Sequence, residues 1–269
     1  MRVAITIIFE GLHHLTHKGF TEFMVKNFDH WIIIEGASNN GGSTYWCRSI
    51  PGSHRSQDGT VEFINELAVR HNHVHVYSHH KHYASKDEQF NKGIAILKTL
   101  TDKCYLWQVD ADEHWSAEDL VAAERRLWRS VCTVASFQFN HFVKQDVIAV
   151  GDWGSGRVNR LWKWKGKFFQ THEPAIMTGQ SAPLELPQKF DHYSLVFDKD
   201  VRHKAKIYRG HEDIYKNWLR LDDETYPCHV SKLFGNKTPV GRSDSYLHKI
   251  PSPCANAQNQ KVKEVADLS

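Results

Sequence analysis

The stretch Tyr105-Leu106-Trp107-Gln108-Val109-Asp110-Ala111-Asp112-Glu113-His114-Trp115 decides how this chain is read. Tyr105–Val109 is short and rich in aromatic and β-branched residues, the pattern of a buried strand. Two carboxylates separated by one small residue follow at once. Hard oxygen ligands at a strand end suit Mg²⁺ or Mn²⁺, which bind through one or two carboxylates plus substrate phosphates and keep several waters. An acidic pair of this kind also occurs as a plain helix cap or solvated turn, so its surroundings decide its meaning.

Upstream, Val3–Phe9, Trp31–Ile34 and Val74–Tyr77 read as further short strands. Amphipathic stretches lie between them, with Phe20, Phe23, Met24 and Phe28 on one helical face. Val61, Ile64, Leu67 and Ala68 form a second such face, and Phe90, Ile94, Leu97 and Leu100 a third. Downstream, Ser116 can cap a fourth helix carrying Leu120, Ala123 and Leu127 inward. The alternation predicts an α/β fold: a mainly parallel sheet with helices on both faces, in one domain over residues 1–250. Ligands of such sheets bind beyond the carboxyl ends of the strands. Glu10, Glu35 and the Asp110–Glu113 group stand at three of those ends and are expected to converge on one crevice.

The second half reads differently. Val134–Phe142 is a longer strand, and Leu161–Trp164 with Phe168–Phe169 forms a hairpin around Lys165-Gly166-Lys167. Residues 174–189 read as a loop, Tyr193–Phe197 as a short strand and Val201–Asn217 as a helix. The glycine-rich insert from Gly41 to Gly59 lacks the ending of a P-loop and reads as a loop over the site, with Asp58 or Thr60 capping the next helix. Residues 1–115 and 116–250 then read as two halves of the domain, and 251–269 as a polar tail.

Composition narrows the class. The 269 residues are 41% hydrophobic and 24% charged, as in an ordinary globular protein, and no apolar run reaches membrane-spanning length. A net charge of +3, evenly spread along the sequence, argues for neither nucleic acid nor membrane binding. Five widely spaced cysteines without a CxxC pair favour reduced thiols, and the expected location is cytoplasmic. The histidine run from His73 to His82 reads as a solvated strand end, and most of the nine tryptophans as core.

On Asp110-Ala111-Asp112 after its strand, Phe9-Glu10 after the first, and Ile32-Ile33-Ile34-Glu35-Gly36-Ala37-Ser38 at the second, the sequence resembles glycosyltransferase family 2 and related GT-A enzymes. Asn91-Lys92-Gly93-Ile94, opening a helix before the acidic strand, fits too. The resemblance covers most of residues 2–217 and implies a nucleotide-binding half over 1–115 and an acceptor half over 116–250, although many members carry Asp where this chain has Glu35. It implies transfer of a sugar from a nucleotide-diphosphate sugar, a UDP-sugar foremost, to a glycan or other hydroxyl acceptor, with inversion. It implies Mn²⁺ or Mg²⁺ held by Asp112 and Asp110, completed by the histidine of Asp191-His192-Tyr193. Donor contacts would come from Glu10, Glu35, Asp110, Asp112, Glu113 and Arg160. Arg157-Val158-Asn159-Arg160-Leu161-Trp162 followed by His172-Glu173 resembles a later motif in which Glu173 would be the base. A metal-dependent phosphoesterase and a catalytically inactive GT-A-like binding module stay open beside this reading; the former usually needs a second clustered ligand set.

Overall fold

The computed structural model describes residues 1–39, 47, 54–172, 174–207, 213–235, 242 and 244–250. The chain opens with β1 (Arg2–Ile8), α1 (Leu12–Leu15), α2 (Phe20–Asn27) and β2 (His30–Glu35). α3 (Thr60–Arg70), β3 (Val74–Ser78), α4 (Lys86–Leu100) and β4 (Cys104–Gln108) follow. Next come β5 (Glu113–His114), α5 (Ala117–Trp128), β6 (Val134–Lys144), β7 (Val147–Val150) and α6 (Asp152–Ser155). After β8 (Arg157–Trp164), β9 (Phe169–His172), β10 (Ala175–Met177) and β11 (Leu184–His192) stand α7 (Asp198–Ile207) and α8 (Ile214–Arg220). β12 (Cys228–His229), α9 (Ser231–Phe234) and β13 (Tyr246–Lys249) end the described elements.

Contacts group the chain into two units, Met1–Phe139 with Arg157–Asp191, and Asn140–Gly156 with His192–Ser269. The first therefore takes in both the residues read as a nucleotide-binding half and a good part of those beyond 115. Its strands run β3-β2-β1-β4 as a parallel block, with Ile5 opposite Ile32 and Gln108, and Ile33 opposite Val76. β8 joins β4 antiparallel, Leu106 facing Trp162, and the start of β6 joins β8. Strand residues alternate between faces, so Ala4, Trp31, Ile33 and Trp107 pack under α2, α3 and α5, through Met24, Ile64 and Leu120. Val3, Ile5, Ile32 and Leu106 pack on the other face under Phe90, Ile94 and Leu97 of α4. This is the α/β arrangement that the alternation predicts, a parallel block with helices on both faces.

Two details explain the local sequence. Ser85 Oγ accepts from Glu88 N and Ser116 Oγ from Asp119 N, so both α4 and α5 begin at a capping serine. Gly93 lies in mid-helix because a Cβ there would come within 2.9 Å of Ile5, so α4 is seated close on β1. Asn91-Lys92-Gly93-Ile94 is thus inside the helix, not at its opening.

The second unit is an antiparallel set. Phe142 of β6 pairs with Ile148 of β7, Ala149 with Leu247 of β13, and Leu247 with Cys228 of β12. Its core gathers Val143, Trp153, Trp218, Leu233 and Leu247, and Trp218 Nε1 donates to the carbonyls of Val143 and Leu195 at 2.7 and 2.8 Å.

Four local expectations are corrected. β9 pairs with β10 in place of a hairpin with β8, because Asn91 Nδ2 and Oδ1 clamp the Phe169 carbonyl and amide and draw that segment to α4. Residues 174–189, read as loop, hold β10 and most of β11, which pairs with β5. Residues 193–197 are a turn after that strand, and the helix read over 201–217 is divided between α7 and α8. The tail from 251 lies outside the described residues, as does most of the glycine-rich insert. Among the described residues no helix is long and apolar enough to cross a membrane.

Candidate functional site

The register brings the carboxyl ends of β1, β2 and β4 to one edge of the parallel block, since Ile8 pairs with Glu35 and Ile5 with Gln108. A buried relay links the three strands. Trp31 Nε1 donates to Thr6 Oγ1 at 2.9 Å, and Thr6 Oγ1 donates to the Val109 carbonyl at 2.7 Å. Asp110 therefore leaves β4 from a fixed point.

The acidic turn closes on itself. Glu113 N donates to the Asp110 carbonyl at 3.0 Å, and Asp110 N to Glu113 Oε2 at 3.4 Å. Arg160, on β8 next to β4, reaches into it from the side. Its Nε lies 2.9 and 3.0 Å from the two Glu113 oxygens, its Nη2 is 2.6 Å from Glu113 Oε1, and Nη2 also donates to Asp110 Oδ2 at 3.1 Å. Glu113 is 1% exposed and Arg160 9%. Burial pushes the Glu113 carboxyl up while Arg160 opposes the shift. Burial would pull Arg160 down, but Glu113 and Asp110 hold it above its ordinary range. A guanidinium that forks both oxygens of one carboxyl requires the carboxylate, so the pair is ionic.

Two carboxylates thus meet one guanidinium, and Glu113 is consumed by it. Asp110 Oδ1 is buried and has no hydrogen-bond partner among the described residues, and Asp112 is half-buried. A buried acceptor without a donor is costly, and a negatively charged strand end with such an acceptor fits a hard cation. His114, next in sequence, is pushed down to about 3 by burial and by His17, Lys18 and His14, which keeps the imidazole neutral at physiological pH.

Glu10, Glu35 and Arg160, read as donor contacts, are engaged within the protein. Glu35 is 0% exposed and its Oε1 accepts from Ser56 N at 2.7 Å. Glu10, in a left-handed backbone conformation (φ 55°), gives its amide to Ser56 Oγ at 2.7 Å and accepts Gln57 N on Oε1 at 2.6 Å. Both carboxylates hold the segment 54–60 against the strand ends. Arg160 is likewise directed to Asp110 and Glu113. Asp58 completes the strap: Oδ2 accepts Leu12 N at 3.3 Å and Oδ1 accepts Thr60 N at 3.2 Å, while Gly59 (φ 90°) occupies the cap position of α3. The strap contacts of Ser56 carried no sequence signal, because a serine in a polar loop is ordinary. Ser56→Ala leaves the buried Glu10 amide without its acceptor. It is expected to cost about 1–3 kcal/mol in urea unfolding; an unchanged midpoint would show that the strap is not held there.

His172 is buried, stacked on Phe90 with ring centroids 4.7 Å apart, with Nδ1 3.4 Å from Gln108 Nε2. Glu173 lies outside the described residues. His192 belongs to the second unit, edge-on to His141 at 5.0 Å. Among the histidines from 73 to 82, His79 Nδ1 is 2.8 Å from the Lys81 carbonyl in the loop after β3.

No protein-family model and no curated protein matches the chain. Among solved structures it is similar to S. aureus TarS 1-349, at 10% identity and TM-score 0.44, over 89% of this chain and 75% of that one. It is also similar to a 4-diphosphocytidyl-2C-methyl-D-erythritol synthase, at 11% identity and TM-score 0.31, over 83% of this chain and 85% of that one. At these scores neither likeness bears on the chemistry of this chain.

Proposed function

We propose that the chain transfers a sugar from a nucleotide-diphosphate sugar, UDP-linked by preference, to an acceptor hydroxyl with inversion. The observation that supports this most is the acidic turn at the end of β4, where Arg160 immobilises Glu113 and leaves Asp110 Oδ1 for a ligand, two residues from Asp112. Asp112 and Asp110 would hold Mn²⁺ or Mg²⁺, which when bound supplies positive charge to a departing diphosphate. The protein's own part is preorganisation. The Arg160–Glu113 fork sets the turn before the ligand arrives, so little reorganisation remains at the moment of transfer. Asp110, with one oxygen on Arg160, presents the other at a constant position. Glu173 is assigned the acceptor proton on the sequence resemblance.

Calorimetry with UDP tests the reading. Binding is expected to be tight with Mn²⁺ or Mg²⁺, lost on chelation, and restored poorly by Ca²⁺, whose larger shell fits a diphosphate less well. Equal affinity with and without the cation would remove the metal from the site.

A further inference from the structure

Basic residues that the sequence scatters are gathered by the fold at the other end of the same strands. Cys104 pairs with Trp164 and Tyr105 with Lys163, which sets Lys103, just before β4, beside Lys165, just after β8. Lys98 comes from the last turn of α4, and Lys167 from the far side of the Gly166 turn (φ 68°). Lys98, Lys103 and Lys165 border an open depression of about 540 Å³ whose acid is Asp102. Lys163 Nζ donates to the Ser130 carbonyl at 2.7 Å, tying this rim to the turn after α5.

That turn carries the second half of the surface. Arg125, Arg126 and Arg129 are exposed there, while Glu124 on the same helix is occupied by Arg2 and Trp107. Between the arginines Trp128 is 70% exposed, and Val131 at the tip is 98% exposed. Single exposed apolar residues need no explanation. A protruding tryptophan and valine ringed by cations are another matter. Trp prefers the headgroup level of a bilayer, and Lys and Arg near an anionic surface add attraction with each residue. Single-stranded nucleic acid would call instead for aromatic platforms within a groove, whereas Trp128 and Val131 stand at a projecting tip and the Phe168 ring already carries Lys98 Nζ, 3.7 Å from its centroid.

We propose that this edge docks on an anionic phospholipid surface, with Trp128 and Val131 entering the headgroup layer and the lysines and arginines facing lipid phosphates. Docking of this kind does not depend on the sugar-transfer reading. Lys103 and Asp110 are separated by the length of β4, roughly 20 Å at strand spacing, so docking leaves the acidic turn open.

Vesicle flotation tests it, using phosphatidylcholine alone and phosphatidylcholine in which a third of the lipid is phosphatidylserine. The full chain is expected to bind the second and not the first, and to be released by high salt. Lys165→Ala with Lys167→Ala should weaken binding about 25-fold, at roughly fivefold per basic residue. Trp128→Ala should weaken it as well, and both variants should keep the wild-type Tm. Failure of the wild type to float, equal binding to neutral vesicles, or tighter binding to an RNA oligonucleotide than to anionic vesicles would each overturn the proposal.

Discussion

Asp112→Asn is expected to lower sugar transfer by at least on the order of 10² to 10³, the loss that follows removal of one preorganised charge-stabilising group. Metal-dependent UDP binding should fall with it. Stability should not, because Asp112 is half-buried and asparagine keeps its volume, so the unfolding free energy from urea titration is expected to change by no more than about 0.5 kcal/mol. Asp110→Asn makes an instructive companion. Asp110 Oδ2 accepts from Arg160 at 3.1 Å, so that substitution weakens the buried ionic group as well as the ligand site and should cost both binding and stability. If Asp112→Asn kept near-normal metal-dependent binding, the acidic turn would be structural and the proposed chemistry would fail with it.

The contrast between these two aspartates shows what the sequence makes legible. The alternation of apolar strands and amphipathic helices carried the parallel block, because burial on both faces leaves a periodic trace. β1, β2, β3, β4 and the helices beginning at Phe20, Thr60 and Ala117 lie within a residue or two of their sequence readings. The strands past Phe169 did not, since β9 and β11 are set by Asn91 and by β5, partners distant in sequence. Much the same holds at the site. Acidic residues at strand ends were legible as positions but not as roles. Whether a carboxylate faces a ligand or a backbone amide depends on the return of a remote loop, and the return of residues 54–60 gave Glu10 and Glu35 to Ser56 and Gln57. Arg160 was visible as a cation further along the chain, while its partners were not, because the antiparallel pairing of β8 with β4 brings it beside the turn that carries Asp110 and Glu113. Local composition could not show the basic edge either. Lys98, Lys103 and Lys165 are neighbours only through the pairing of β4 with β8.

Arg160→Met should destabilise the fold more than Ser56→Ala or a change at either aspartate. The guanidinium is nearly buried and is the cation at Glu113, which is itself 1% exposed. Breaking a buried pair from one side leaves an uncompensated charge, a loss of about 3–5 kcal/mol. Replacing both partners removes that charge. Arg160→Met combined with Glu113→Leu should therefore recover most of the loss, in keeping with buried ion pairs that apolar side chains of similar volume replace without penalty. Function should not recover in step. In the double variant Asp110 Oδ2 has lost its guanidinium and the turn has lost its fork, so metal-dependent UDP affinity should fall about tenfold even where the fold is restored, the equivalent of one charged hydrogen bond. Urea unfolding of wild type, both single variants and the double variant closes the cycle. A double variant whose loss equals the sum of the two single losses would mean that the two side chains act independently. Full UDP affinity in a well-folded double variant would mean that the fork holds the fold and not the ligand site.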